Sequence, residues 1–303
     1  CSQWAWKFFF DIVRIASSTN MPTQTPASPN DTDVSYKRMN LFNVQGLLVQ
    51  RNIFDKDIIR KVIWFKALPG DIFVGSYPRS GSTRAQYIIW ALLHDGKPLP
   101  DFHTLLTREF PCIEVVDADT VSPRSGGPRL VKHHLPYAFS PNGPDTKHVV
   151  VLRNPLDVCA SNFVHVRKTY DGEFNDFFEC FVRGEVPFGD YFDHVNSWCE
   201  KGQDTSVLLL CYEEMVKEPV KAVKTIAEFL GVDAAEERLK KIVEETDLEK
   251  TVGGRDHLKE EVLKGTVGCH KEYLSEEQKK VLGAMMREKI EDERLKSFWG
   301  TPL

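Results

Sequence analysis

Val74–Gly75–Ser76–Tyr77–Pro78–Arg79–Ser80–Gly81–Ser82–Thr83 decides the fold of this 303-residue chain. It follows an apolar run, Asp71 to Val74, that reads as a buried strand. After it, Ala85, Ile88, Ile89, Leu92 and Leu93 recur at helical spacing. A strand, a tight loop and a helix start turn free backbone N–H groups and the positive helix end toward an anion. Ser80, Ser82 and Thr83 add hydroxyl donors, and Arg79 adds a planar cationic fork. The loop reads as a phosphate or sulfate cradle. The plainer alternative is an ordinary strand-to-helix turn with capping serines. It is not a Walker A loop: five residues separate Gly75 from Gly81, and Ser82 stands where lysine is required.

The length allows one large α/β domain or two ordinary ones. At 42% hydrophobic and 27% charged, the composition is that of a soluble globular protein. A net charge of −5 argues against nucleic-acid binding but not against a small anionic ligand. The seven cysteines are scattered, with no Cys-x-x-Cys pair and no zinc spacing, so reduced thiols, a cytoplasmic location and no metal are expected. Residues 1–36 are expected to be a flexible or non-native tail, and residues 37–303 the folded domain. The apolar stretch Trp4 to Ile15 is interrupted by Lys7, Asp11 and Arg14 and is too short and charged to span a bilayer. Met21 reads as a start, weighed against a remnant of a membrane anchor; no membrane partner is expected.

Further along, Arg129 to Lys132, Lys147 to Leu152 and Ser206 to Cys211 read as strands. Pro155 opens a helix, and others are expected near 219–230, 235–246 and 275–290. Short apolar strands alternating with helices predict an α/β fold: a single domain, a central parallel sheet covered on both faces, with a P-loop-like strand–loop–helix. Ligands of such sheets bind at the carboxyl ends of the strands, where Arg79, Lys132, His134 and Arg153 fall. The Pro-punctuated segment 95–128 reads as a long binding loop.

These segments together resemble the cytosolic sulfotransferases, which move a sulfuryl group from 3′-phosphoadenosine 5′-phosphosulfate to an acceptor. Tyr77 to Thr83 is similar to the family's 5′-phosphosulfate loop. Arg153–Asn154–Pro155–Leu156–Asp157–Val158 with Ser161 resembles its 3′-phosphate segment. Lys132–His133–His134–Leu135–Pro136 resembles the strand that carries its catalytic Lys and His. Cys211–Tyr212–Glu213–Glu214–Met215 matches where the family has a Tyr near the nucleotide. Lys264–Gly265 with Gly268 resembles the C-terminal phosphate loop. The resemblance implies His134, Lys132 and Arg79 as catalytic residues. It implies Arg79, Ser80, Gly81, Ser82, Thr83, Arg84, Arg153, Ser161, Tyr212, Thr246, Leu248, Leu263, Lys264 and Gly265 around the phosphosulfate co-substrate. Residue chemistry agrees. In-line transfer from a phosphosulfate needs cations on the oxygens, a near-neutral base such as His134, and no metal. Beside these roles stand plainer ones. One of His133 and His134 is a structural strand-end residue, Arg153 pairs with Asp157 at a helix start, and Lys264 is a surface cation.

The chain departs from the family in several places. Arg84 stands where a Trp usually stacks on adenine, though a guanidinium also stacks. Thr246–Asp247–Leu248 replaces an adenine-contacting segment and lacks its aromatic. Leu263 replaces an Arg, removing a cation from the 3′-phosphate. Gly268–Cys269–His270 replaces Gly–Asp–Trp, and the family's dimer motif is not intact around Lys271 to Gln278, which leaves a homodimer open. The expected acceptor is a small hydroxylated or amine compound, most of all a phenol, entering by loops at 95–128, 165–190 and 250–270. Phe102, Phe110, Phe139, Phe163 and Tyr170 are candidates for an apolar pocket. Two rivals remain: a P-loop nucleotide kinase or phosphotransferase, and a non-catalytic nucleotide-binding relative.

Overall fold

The computed structural model describes residues 37–51, 53–95, 97–121, 127–247 and 266–299. Chain order begins with an antiparallel hairpin, β1 (Leu41–Val44) and β2 (Leu47–Gln50). Helix α1 (Lys56–Ile63) follows, then β3 (Ile72–Ser76) and α2 (Ser82–Leu93). An irregular stretch leads to β4 (Leu130–His133), β5 (Lys147–Leu152) and α3 (Pro155–Val166). Helices α4 (Phe174–Val182) and α5 (Tyr191–Cys199) precede β6 (Val207–Cys211). The remaining helices are α6 (Tyr212–Lys217), α7 (Pro219–Leu230), α8 (Glu236–Glu245), α9 (Glu276–Lys289) and α10 (Glu293–Trp299).

Four strands form a parallel sheet in the order β4-β3-β5-β6. The chain leaves β3 toward β4 on one side and later leaves β5 toward β6 on the other. The crevice between the carboxyl ends of β3 and β5 is therefore the topological switch point, where open parallel sheets bind ligands. Both faces are covered, as the apolar runs predict. Ile72, Val74, Val149 and Val151 face a core built with α2, α7 and α8. Phe73, Val131, Val150 and Leu152 face the other core, with the hairpin, α3, α4 and α5.

Strands β3 and β4 begin one residue later than the sequence alone predicts, whereas β5 spans Lys147–Leu152 as read. Asp71 and Arg129 precede β3 and β4, and their carbonyls start the ladder, accepting from Lys147 and Ile72 at 2.9 Å each. Their side chains form a buried ion pair, Arg129 Nε to Asp71 Oδ1 at 2.9 Å, that locks the two strand starts together.

Residues 165–190 are not one continuous loop, because helix α4 occupies Phe174–Val182. Phe174, Phe177, Phe178 and Phe181 recur at helical spacing on α4, and a reciprocal Glu173/Asp176 capping box starts it. Phe163 packs on Phe174, Phe177 and Tyr273, and the Tyr170 hydroxyl donates to the Lys37 carbonyl at 2.6 Å. Phe110 is likewise fully buried. These three aromatics are core, because each finds ring or backbone partners inside the domain.

Candidate active site

The loop after β3 holds its shape by backbone conformation. Arg79 adopts a left-handed φ of 71° and Gly81 a φ of 102°. Gly81 caps α2 with no side-chain hydrogen bond, and Arg84 N donates back to the Gly81 carbonyl at 3.1 Å. A Cβ at Gly81 would lie 2.2 Å from the Tyr212 ring, so only glycine lets the loop close on that ring. Ser80 is buried, and its Oγ has no hydrogen-bond partner among the described residues. Leaving a buried hydroxyl unsatisfied costs about 1–3 kcal/mol, and an anion in the loop would satisfy it. Ser82 is buried at the first turn of α2, with Thr83 and Arg84 half-buried beyond it.

Arg153 ties the loop to the rest of the crevice. It follows β5, just before the Asn154 cap and Pro155 that start α3. The guanidinium donates from Nη1 to the Arg79 carbonyl and from Nη2 to the Thr266 carbonyl, both at 3.0 Å. It lies 4.7 Å over the Tyr212 ring. Arg79 Nε donates to Ser161 Oγ at 3.1 Å. Arg79, Gly81, Arg153, Ser161 and Tyr212 are therefore one cluster. Arg153 also approaches Asp157, 3.7 Å away, so its plainer pairing role is present beside the clustered one.

Asp157 is a site residue that the motif reading left out of its ligand set. Its Oδ2 accepts from Gly268 N at 2.8 Å, and its Oδ1 accepts from His270 N at 3.1 Å and meets His270 Nδ1 at 2.6 Å. Burial alone would raise its pKa. The hydrogen bond from His270, the Arg153 charge and the two N–H groups outweigh that and hold the carboxyl below its usual range. The result docks residues 268–270 onto α3. The available signal was a carboxylate one helical turn after Arg153. Leu248, Leu263, Lys264 and Gly265 lie outside the described residues. Thr246 caps α8, and its hydroxyl bonds back to Ile242 O at 2.8 Å, so the described contact there is internal.

The two adjacent histidines have different surroundings. His133 is fully buried behind the sheet, with Ser140 Oγ 3.3 Å from its Nε2, and its ring stacks near Trp198. His134 lies just past the end of β4 and keeps part of its surface accessible. Its Nδ1 is 2.9 Å from the Ser76 carbonyl, which can only accept; Nδ1 therefore carries the proton, and Nε2 keeps its lone pair. Burial of the ring, then the Lys132 charge, hold the His134 pKa well below its ordinary value. Lys132 is buried two residues earlier. Phe188, with a positive φ of 70°, places its ring 5.6 Å from His134, and Phe54 packs edge-on against it. No local sequence signal marks Phe188, because its position depends on the hairpin: its N–H donates to Leu48 O at 2.7 Å.

The arrangement sets an Arg-bearing loop at the switch point beside a neutral imidazole. Residues 69–294 match the sulfotransferase domain family. Sulfotransferase 1B1 of Mus musculus is 30% identical over 252 residues, covering 75% of this chain and 84% of that protein. Amine sulfotransferase of Oryctolagus cuniculus is 28% identical, covering 86% and 94%. The chain belongs to the sulfotransferase family. Among solved structures, a mouse sulfotransferase complexed with PAP superposes with a TM-score of 0.70 at 26% identity, covering 86% of this chain and 98% of that one. This sulfotransferase is thus an enzyme of the expected α/β class. Among its described residues no helix is long and apolar enough to cross a membrane. No group of three or more His, Cys, Asp or Glu among those residues is arranged to hold a metal ion.

Proposed function

We propose that this enzyme transfers a sulfuryl group from 3′-phosphoadenosine 5′-phosphosulfate to a hydroxyl, above all a phenolic one, or an amine of a small acceptor. The observation that carries the reading is the His134 tautomer: Nδ1–H on the Ser76 carbonyl leaves Nε2 as a proton acceptor beside Lys132. The mouse neighbour's PAP complex and the unsatisfied Ser80 hydroxyl support the donor. The donor supplies an electrophilic sulfur on a good leaving group. The α2 N-terminus, Ser80 and Arg79 would bind its 5′ end, while Arg153 and Ser161 would bind its 3′-phosphate. As the acceptor oxygen or nitrogen bonds to sulfur, the sulfur–oxygen bond to the 5′-phosphate breaks. His134 Nε2 takes the acceptor proton, and Arg79 and Lys132 balance the charge left on the phosphate oxygen. Phe188, with Phe54 behind it, offers an aromatic wall for a phenol.

Turnover of His134→Ala and His133→Ala with the sulfated donor and a phenol panel tests this reading. His134→Ala should lose about 10²–10⁴-fold in kcat, the range of a general base, with PAP binding retained. His133→Ala should be far milder. The reverse ranking, or turnover of His134→Ala near the wild-type rate, would refute the assignment.

A further inference from the structure

The His134 peptide is held from both sides by buried side chains that no motif contains. Lys132 N donates to Pro111 O at 2.8 Å, and Ile113 N donates to Lys132 O at 3.1 Å, so residues 111–113 run as a short parallel edge beside β4. The next ladder bond would take His134 N–H to the Ile113 carbonyl. Instead the Glu114 carboxylate takes it: His134 N donates to Glu114 Oε1. The other carboxylate oxygen accepts from Cys112 Sγ at 3.1 Å. On the opposite side, His194 Nε2 lies 3.1 Å from the His134 carbonyl and donates to it. One turn on along α5, Trp198 Nε1 donates to the next carbonyl, that of Leu135, at 3.2 Å. Glu114 and His194 are both about 1% exposed.

We propose that Glu114 and His194 are positioning residues that aim the His134 imidazole by clamping its N–H and its C=O. The inference rests on the reading of His134 as the base. A strand end is where the backbone ladder stops, and without the clamp the His134 N–H and C=O would lose these partners, leaving the bond from Leu135 N to His133 Nδ1 as the main local restraint on the peptide that follows. Rotation there would carry Nδ1 off the Ser76 carbonyl and permit the other tautomer, whose Nε2 holds a proton and cannot accept one. Glu114 is suited to the task, because its hydrogen bonds run to an N–H and a thiol buried with it. His194 is suited because burial keeps it neutral, with a pKa of about 4, and a neutral ring has a single N–H to give.

The test compares Glu114→Ala, Glu114→Gln, His194→Phe and His134→Ala in the full chain. The readouts are kcat with donor and a phenol, PAP affinity by calorimetry, and imidazole ¹⁵N shifts of His134. Glu114→Ala and His194→Phe should lower kcat about 10–100-fold, the cost of a misaimed reacting group, with PAP affinity within about two-fold of wild type. Their ¹⁵N spectra should lose the pure Nδ1–H pattern. Glu114→Gln, whose amide oxygen still accepts, should restore kcat to within about three-fold of wild type. Full kcat in Glu114→Ala and His194→Phe with PAP bound, or equal loss of kcat and PAP affinity, would overturn the inference. If Glu114→Ala does not fold, His194→Phe decides on the same criteria. Normal turnover in His134→Ala would instead remove the base assignment itself.

Discussion

Arg79 holds a left-handed backbone, φ 71°, which costs a non-glycine residue about 1–2 kcal/mol. The strain persists because Arg153 grips the Arg79 carbonyl while Arg79 Nε holds Ser161. Glycine at this position would relieve the strain but lose the bond from Arg79 Nε to Ser161, itself about 1 kcal/mol. Arg79→Gly should therefore change stability by less than about 1 kcal/mol. It should nonetheless cut turnover about 100-fold or more, as expected for removing a charge that stabilises the transition state. Urea denaturation and steady-state rates check both halves; a stability loss that matches the activity loss would mean Arg79 is structural. The residue types of this site were legible in the sequence because hydroxyls, one Arg and a strand-end Lys and His are chemistry written locally. Glu114 and His194 were not legible, since a lone Glu in an irregular segment and a His on an amphipathic helix look like many others.

At the scale of elements, the tie between α3 and the turn at 268–270 is the feature with the clearest consequence. Asp157 is fully buried and collects an arginine, an imidazole and two backbone N–H groups. Removing one member of such a buried set strands the others, a loss of about 3–5 kcal/mol. Asp157→Ala should show that loss in chemical denaturation and should weaken PAP, because Arg153 and Thr266 are held by the same docking. A variant as stable as wild type would show that the turn docks without the carboxylate. The helix starts were legible here: Pro155 announces α3, and the expected helix at 219–230 coincides with Pro219–Leu230. Helix α4 falls inside the 165–190 stretch where the sequence predicts a loop, because nine residues dense in phenylalanine settle as a helix only when a core exists to receive them.

At the scale of the whole molecule, four histidines among the described residues are held neutral chiefly by desolvation. His148 and His194 are held at about 4, and His133 and His134 well below the ordinary value of 6.5, in each case chiefly by burial. The unfolded chain takes up these protons near pH 6.5 and the folded one does not. Between pH 6.5 and about 4 the unfolded state binds more protons, so stability rises with pH and is lost on acidification. For His148 and His194 the loss is on the order of 3 kcal/mol each at the bottom of that window. Urea midpoints should be flat above pH 7 and fall steeply below 6. His148 stacks on Phe73 at 4.9 Å, and its ring nitrogens have no hydrogen-bond partner among the described residues, so His148→Leu should flatten the acid limb. An unchanged limb would assign the acid loss to the other three.

By itself the sequence determined the α/β class, the strand–loop–helix around Arg79 and the order of the motifs. Strand runs, helical spacing, caps and loop chemistry are all set by neighbours within a few residues. Only the tertiary structure decided which groups meet. Sheet order placed the loops after β3 and β5 at one crevice, so that Arg153 reaches the Arg79 carbonyl. The fold brought Glu114 to His134 across 20 residues and His194 to it across 60. It separated His133 from His134 by turning one behind the sheet and the other to its edge. Contacts of that kind depend on which surfaces are buried against each other, and no local pattern encodes that.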